Sequence, residues 1–471
     1  MPTVDCSDVA RVTIGTLPDV ALLRIFDFYV DERWIEGWCI LVHVCRKWRN
    51  VVFGSPRRLH LRLYCEASTP VGKMLDVWPP FPIVIKVYGY EMRTLLWGME
   101  NVTEALKHND RIHRIDLSDV PRSQFEKVLA AMQQPFPALT YLLLESRGDE
   151  TVLVQPDSFL GGSAPCLQEL FLRRIPFPGL PKLLLSTTHL VHLRLWGIPH
   201  SGYFSPEAVA TGLSVLIRLE SLIISFESPR SRPDQNNRPP PPPTRILLPV
   251  LTELWFEGVS EYLEDLVARI DAPLLNELRI KFFHQLIFDT PQLAQFISRT
   301  PKFKAHDEAC VFFSDEDVSF TLPQTSDGRL RLEISCTQPD WQLSSLAQVC
   351  SSSFPEALFP TVEHLYIHCS ISLLRWPDEI DSGQWLELLN PFTAVKGLYI
   401  SRDVAPRITH TLQELAREGV TEVLPGLETL LLEGALSGPA QKAIWRFVAA
   451  RQFASHPIAV SRWDRSQVNW H

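Results

Sequence analysis

A six-residue pattern recurs along most of this chain: an apolar residue, two others, an apolar residue, one other and a third apolar residue. Because side chains alternate between the two faces of a strand, the fourth and sixth positions would point to one face and their neighbours to the other. The pattern therefore predicts strands with one apolar face. Eleven segments follow it closely: IHRIDL (112–117), LTYLLL (139–144), LQELFL (167–172), LVHLRL (190–195), LESLII (219–224), LTELWF (251–256), LNELRI (275–280), RLRLEI (329–334), VEHLYI (362–367), VKGLYI (395–400) and LETLLL (427–432).

The spacing of these segments is nearly regular. Their starts lie 23 to 33 residues apart, except for one interval of 54 residues between 275 and 329. One such strand cannot bury its apolar face alone, so units of this length are expected to stack side by side. The long interval is about two units in length, and a poorly matching strand is expected near 303–313.

The spacing and the LxxLxL core resemble those of leucine-rich repeats. The Asn that usually follows the strand in that family is missing from nearly all units, so the repeats are irregular. The resemblance implies an α/β solenoid, in which a curved parallel sheet is backed by outer helices and loops. The alternative is a generic α/β protein with amphipathic strands.

Helical segments are expected between several of the strands. The clearest are QFEKVLAAMQQ (124–134), EYLEDLVARI (261–270), PQLAQFISR (291–299) and HTLQELAREG (410–419). A Pro often precedes the next strand, as in FPALTYL and LPGLETL, and ends the helix there. This placement accounts for much of the high Pro content, 38 residues against only 21 Gly.

The flanks of the repeats have their own patterns. Residues 57–100 contain LHLRLYC and PFPIVIKVY, which predict one or two further strands at the start of the sheet. Residues 438–471 contain the helical segment KAIWRFVAARQF and are interpreted as a C-terminal cap. Residues 227–245 include five consecutive Pro at 239–243 and are interpreted as an extended loop insert, with an SH3- or WW-type ligand as the alternative.

The first sixty residues differ from the rest. Leu22, Ile25, Phe26 and Tyr29 are spaced as one face of a helix. A second amphipathic run, CILVHVCRKWRNVV, places a further apolar stripe on one face, and a short third helix is expected near 32–39. Three such helices make a small core that is only marginally stable alone and needs to pack against a partner. The stripe of the second run consists of Leu41, Val44, Cys45, Trp48 and Val52.

The order of these residues resembles the F-box motif over 17–56: Leu17-Pro18, Leu22, Ile25-Phe26, Val44-Cys45 and Trp48. The chain departs from the family in Asp19-Val20, where a Glu usually follows the Pro, and in Trp34 and Trp38. The resemblance implies docking on the Skp-family adaptor of a cullin–RING ubiquitin ligase. The adaptor contacts it implies are Leu17, Pro18, Leu22, Ile25, Phe26, Val44, Cys45 and Trp48. The domains expected are a tail (1–15), the F-box (16–56), the repeats (57–437) and the cap (438–471).

Three groups of residues could be mistaken for chemical sites. Cys45 could be a nucleophile, but its place on an apolar stripe favours a packed thiol. His364 and His368 would lie about 13 Å apart on a strand, too far for one zinc ion. The cluster 315–317 (DED) lacks the spacing of a calcium loop and is interpreted as a solvated turn. With no common catalytic or phosphate-binding motif, we expect no enzyme activity, metal or cofactor.

A binding surface is expected on the strand face opposite the apolar positions. Aromatic residues and Arg at those positions resemble the chemistry of protein-binding hot spots. The alternative is that they are ordinary solvent-facing strand residues. The target-binding candidates are Trp196, Trp255, Arg279, His364, Tyr366 and Tyr399, with Arg194, Glu253, Glu257, Lys281 and His368 on the same face.

Composition narrows the class of partner. The net charge of −9 disfavours nucleic acid, and no apolar run reaches the ~18 residues that span a bilayer. Nine Cys without a CxxC spacing and an acidic N-terminus predict a soluble cytoplasmic or nuclear chain with reduced thiols. No homo-oligomer is implied. The function predicted is the substrate-recognition subunit of a Skp–cullin–F-box ubiquitin ligase, bound through the adaptor to the cullin and to an unknown protein substrate. The alternative is a leucine-rich-repeat scaffold outside a ligase.

Overall fold

A computed structural model describes most of the chain, and within the described residues the fold is α/β with one large, mostly parallel sheet of sixteen strands. The N-terminal residues 1–13 and the Pro-rich residues 230–243 lie outside the described residues. The described ranges are 14–32, 37–66, 71–88, 92–146, 154, 158–229, 244–285, 287–304, 306–323, 328–354, 358–370, 382–415, 422–434 and 438–464.

The strands are numbered in chain order. They are β1 (Leu63–Cys65), β2 (Ile83–Tyr88), β3 (Ile112–Val120), β4 (Tyr141–Ser146), β5 (Glu169–Arg173), β6 (His192–Ile198), β7 (Ser221–Phe226), β8 (Ile246–Leu247), β9 (Glu253–Gly258), β10 (Ile270–Asp271), β11 (Glu277–Phe283), β12 (Glu308–Phe313), β13 (Asp317–Leu322), β14 (Arg329–Ser335), β15 (His364–Cys369), β16 (Gly397–Ile400), β17 (Thr429–Glu433) and β18 (Ala459–Trp463).

All eleven segments that the recurring pattern marks form strands of the large sheet, so this prediction is confirmed. The two further strands expected before residue 100 are β1 and β2. The order across the sheet is β1-β2-β3-β4-β5-β6-β7-β9-β11-β14-β13-β12-β15-β16-β17-β18, while β8 and β10 form a separate parallel pair. Within the described residues β1 and β18 each have one neighbour, so the sheet is not a closed barrel.

Most strands are joined by helices, which form the second layer. Consecutive helices contact one another along the chain, as α7 does with α8 and α12 with α13. The helices are α1 (Asp19–Glu32), α2 (Gly37–Val44), α3 (Arg46–Gly54), α4 (Val71–Val77), α5 (Met92–Leu106), α6 (Arg122–Ala131), α7 (Leu180–Leu184), α8 (Pro206–Leu213), α9 (Ser260–Val267), α10 (Pro291–Arg299), α11 (Pro339–Ser353), α12 (Ser382–Leu389), α13 (Ala405–Leu415) and α14 (Gly438–Phe453).

The core lies between the sheet and the helices, because both contribute their apolar faces to it. In β4 the alternation is visible directly: Leu142 and Leu144 are fully buried, while Tyr141 before them and Leu143 between them are half-buried. The helices predicted between strands are present as α6, α9, α10 and α13, and the C-terminal one as α14. Residues 416–419 of the last predicted repeat helix lie outside the described residues.

The sheet departs from the expected parallel order at its centre. The strand expected near 303–313 exists as β12, but the chain then turns back through the antiparallel β13 to β14. As a result β14 pairs with β11 and β12 with β15, so this part of the chain runs in reverse order across the sheet. The expectation of an all-parallel sheet is therefore wrong here.

The reversal has a local cause in the turn between β12 and β13. The hydroxyl of Ser314 accepts from the backbone N–H groups of Glu316 and Asp317 and donates to the Asp317 carboxylate at 2.7 Å. The acidic cluster 315–317 thus lies in a hairpin turn, which agrees with its interpretation as a turn. Val318, Phe320 and Leu322 then alternate as fully buried residues of β13. The C-terminal strand β18 was also absent from the sequence-based expectations.

Candidate functional site

The N-terminal helical module, residues 14–54, contains three helices, but they divide the sequence differently from the prediction. The second amphipathic run breaks at Cys45, which caps α3 with its Sγ 3.5 Å from the N–H of Trp48. Cys45 is exposed, so the expectation of a packed thiol is wrong. Of the short third helix predicted near 32–39, residue 32 ends α1 and residues 37–39 begin α2, while residues 33–36 lie outside the described residues.

Some of the predicted adaptor contacts form the internal core of this module. Leu22 and Phe26 are fully buried, and the Phe26 ring lies 4.8 Å from the buried ring of Trp48. These three side chains hold the helices together and do not reach the surface. Replacing any of these three residues would therefore test the folding of the module more than its binding to a partner.

The other predicted contacts face outward. Ile25 is 42% exposed and Val44 53%, while Pro18 is exposed and Leu17 is half-buried. The motif therefore contains two sets of residues, one for the core and one available to a partner. A periodic pattern shows that residues share a face, and the structure adds which face points outward.

The structure adds apolar residues that the motif did not mark. Phe28 is 75% exposed, and Val20 is exposed as well. At 100° per residue, Val20 and Phe28 lie on the side of α1 opposite Leu22 and Phe26, whereas Ile25 lies at the edge of the face that carries Leu22. In the sequence, Val20 and Phe28 are recognisable as apolar residues that do not follow the spacing of the buried residues Leu22 and Phe26.

The Leu17-Pro18 turn is held in place by α3. The ammonium group of Lys47 donates to the carbonyl oxygen of Leu17 at 2.7 Å and lies 3.9 Å from the carboxylate of Asp19. The carbonyl oxygen of Pro18 accepts from the N–H groups of the first turn of α1. The start of the motif is thus tied to the last helix of the module.

The module is also joined firmly to the sheet. The indole N–H of Trp38 donates to the carbonyl oxygen of Arg62, just before β1, at 3.1 Å. The buried ring of Trp38 lies 5.1 Å from Trp78 and 5.6 Å from Phe81, edge to face. The small helical core is therefore continuous with the main core, which supplies the partner that such a core needs.

The polar face of the sheet, the face opposite the helices, brings three of the target-binding candidates together. The rings of Trp196 and Trp255 lie 4.4 Å apart in a T-shaped contact, although β7 lies between their strands. The guanidinium of Arg279 lies 5.3 Å from the Trp255 ring centroid. Trp196, Trp255 and Arg279 form the first group on the polar face.

The other three candidates form a second group on the polar face. Tyr366 and Tyr399 stack with centroids 4.0 Å apart, and His364 lies 6.0 Å from Tyr399. Trp463 of β18, which the pattern missed, stands perpendicular to both tyrosines. Tyr366 is buried beneath them, and its burial, followed by the nearby Glu308 carboxylate, raises the pKa of its hydroxyl.

A cysteine and a histidine lie beside the second group. The Sγ of Cys310 is 2.9 Å from Nε2 of His368, and both side chains are buried. A nucleophilic thiol needs access to its substrate, so this geometry fits a structural contact. His364 and His368 lie on the strand β15, and no group of three possible metal ligands occurs among the described residues.

Thiol reactivity tests this assignment of the cysteines. Burial raises the pKa of Cys65 to about 12, against which the nearby Arg111 acts weakly. At pH 8 its thiolate fraction would be about a thousandfold below that of an ordinary thiol. We expect iodoacetamide to modify the exposed Cys45 and Cys166 of the native chain while Cys65 and the buried Cys350 stay unmodified. Peptide mass spectrometry reads each site, and early modification of Cys65 would contradict its burial.

The comparisons with known proteins add no relatives: neither a scan against protein-family models nor a search of curated proteins found a match for this chain. Within its described part, no helix is long and apolar enough to cross a bilayer. The class that the structure defines is an α/β protein with a large, mostly parallel sheet. It carries an N-terminal helical module with outward apolar residues and a polar face with aromatic and arginine side chains.

Proposed function

We propose that the chain is the substrate-recognition subunit of a Skp–cullin–F-box ubiquitin ligase. The helical module would dock on a Skp-family adaptor, and the polar face of the sheet would hold the target protein. This role is non-catalytic. By holding both partners, the chain raises the effective concentration of the target near the ubiquitin-loaded enzyme.

The observation that carries the proposal is the division of the motif residues in the helical module. Leu22, Phe26 and Trp48 make an internal core, while Ile25 and Val44 face outward with Phe28. Apolar side chains exposed on a small helical unit are typical of an interface that is covered by a partner. The rigid junction through Trp38 supports a fixed distance between this surface and the polar face.

The interpretation of the sheet as irregular leucine-rich repeats is also part of the proposal. Its support is that the strands β3 to β7, β9 and β11 follow one another across the sheet in parallel, at intervals of 23 to 32 residues between the patterned segments. The adjacent helices contact one another in the same order, as repeated units do. The hairpin through β13 is an interruption of this series.

Adaptor binding tests the docking proposal. We expect Ile25→Asp to weaken the binding of the full-length chain to a purified Skp-family adaptor about thirtyfold, since a charge in a desolvated apolar contact costs about 2 kcal/mol or more. Leu17→Ala with Pro18→Ala should weaken it as well. The exposed Val77, on α4 outside the module, provides the matched control Val77→Asp, which should bind as the wild type does. Surface plasmon resonance measures all of these affinities.

A second readout does not depend on any substitution. Adaptor bound at the module would cover Cys45, so its alkylation should slow in the complex while that of Cys166 stays unchanged. A wild-type chain that does not bind the adaptor would overturn the ligase proposal. It would favour the scaffold alternative, for which the two aromatic groups on the polar face are the supporting observation.

A further inference from the structure

Three arginines meet on the polar face of the two strands β11 and β14. Arg279 and Arg331 are direct cross-strand partners, and Arg329 is one position further along the same face. The side chain of Arg279 is 34% exposed and that of Arg331 is 36% exposed, so both are partly open to solvent. Like charges placed directly opposite each other destabilise a sheet.

The nearby carboxylates leave this group with an excess of positive charge. Glu277 lies 2.6 Å from Arg279 and 3.9 Å from Arg329, and Glu333 pairs with Arg331. Three guanidinium groups therefore share two carboxylates. Lys281 and Glu257 form a neutral pair beside them, 4.0 Å apart. Burial, and then repulsion from Arg279, lowers the pKa of Arg329, which is consistent with this imbalance.

Two further acids lie two strands away from β14, and both are engaged: Glu308 on β12 accepts from the hydroxyl of Tyr366 at 3.4 Å, and Glu253 is held on the other side. It lies on β9, two strands from β14, and its carboxylate accepts from the hydroxyl of Ser221 at 2.7 Å. On the opposite side of β14, the cross-strand partners of Arg331 and Glu333 are the short side chains of Thr321 and Ser319. The arginines are therefore bordered by short polar side chains on the β13 side.

The β9 side is bordered by aromatic rings. Trp255 is the cross-strand partner of Arg279 on β9, and it contacts Trp196. Adjacent strands lie about 4.8 Å apart, so the tryptophan pair begins about 10 Å from Arg331. An extended peptide covers that distance in about three residues.

We propose that Arg279, Arg329 and Arg331 bind an aspartate or glutamate side chain of the target protein, and that Trp196 and Trp255 receive an apolar side chain about three residues away in the same segment. A single carboxylate matches the local excess of one positive charge, whereas a phosphate would exceed it with about −1.5 to −2. This inference names the class of target segment and rests on the proposed function of the polar face.

A random dodecapeptide phage library selected on the full-length chain tests the site. We expect enriched peptides to carry Asp or Glu about three residues from a large apolar residue. In a synthetic peptide of that kind, Asp→Asn should weaken binding about tenfold, and the protein variant Arg331→Gln should do the same, because each removes a charged hydrogen bond. Fluorescence polarisation measures both, and Arg331→Lys should retain part of the affinity if charge is what the site supplies.

The matched control is Arg114→Gln, a 38% exposed arginine on the same face that pairs with Asp116 at 3.3 Å and lies on β3, three strands from Trp196. Its affinity should equal that of the wild type. The inference is overturned by selected peptides without acidic enrichment, by an equal loss in Arg114→Gln and Arg331→Gln, or by tighter binding of a phosphoserine peptide than of its Asp counterpart. Adaptor binding of Arg331→Gln should be unchanged, so a failure of docking and a failure of this site give different results.

Discussion

Replacing Trp38 with alanine is expected to lower the free energy of unfolding by about 3–5 kcal/mol, the usual cost of removing a buried tryptophan. The indole is enclosed by Trp78 and Phe81 and donates to the carbonyl oxygen of Arg62. The substitution leaves a cavity and an unpaired carbonyl group where the helical module meets the sheet. Chemical denaturation followed by tryptophan fluorescence measures the change.

The same experiment has a matched control in the helix α14. Trp445 is exposed, and Trp445→Ala should change the unfolding free energy by no more than about 0.5 kcal/mol. A small effect of Trp38→Ala would show that the helical module is attached loosely. In that case a fixed distance between the proposed docking surface and the polar face would lose its support.

Replacing Glu264 with alanine is expected to cost about 3–5 kcal/mol of stability, because two charged hydrogen bonds are lost at a buried position. The side chain of Glu264 extends from α9 to the start of α10, where its carboxylate accepts from the N–H groups of Gln292 and Leu293 at 2.9 and 2.7 Å. The preceding residue, Thr290, supplies no side-chain cap to α10. A carboxylate at a helix N-terminus also interacts favourably with the helix dipole.

Two further variants separate the causes of that loss. Glu264→Gln retains one acceptor oxygen but places an amide NH₂ against the second N–H, so about half of the loss is expected. Glu261→Ala changes an exposed glutamate of the same helix and should have little effect. Equal losses in Glu261→Ala and Glu264→Ala would refute the assigned role, since helix propensity alone would then explain them. Thermal unfolding by circular dichroism compares all three.

The strands could be predicted because their signal is local. A strand exposes alternate residues to opposite faces, so buried positions such as Leu142 and Leu144 recur at a spacing of two within a few residues. The recurrence of that short pattern also predicted that neighbouring units stack. The helices between them followed from the apolar spacing and from the Pro residues that end them.

The surface of the helical module could be predicted only in part. Spacing showed that Ile25 and Phe26 belong to a helix, but one of them is exposed and the other is buried. The break at Cys45 was not predicted, because CILVHVCRKWRNVV is consistent with one continuous amphipathic helix. Where the chain turns depended on contacts with other elements, such as the hydrogen bond of Trp38 with Arg62.

Period and spacing in the chain were enough to predict an α/β fold of strands joined by helices, with aromatic and arginine residues on the face opposite the core. The reversed order of β12, β13 and β14, the position of Trp463 over Tyr399 and the meeting of Arg279 with Arg331 became clear only from the folded chain. The physical reason is range. Alternation acts between residues two positions apart, whereas pairing joins residues that are 50 or more apart in the chain, such as Arg279 and Arg331, and depends on which faces can be buried together.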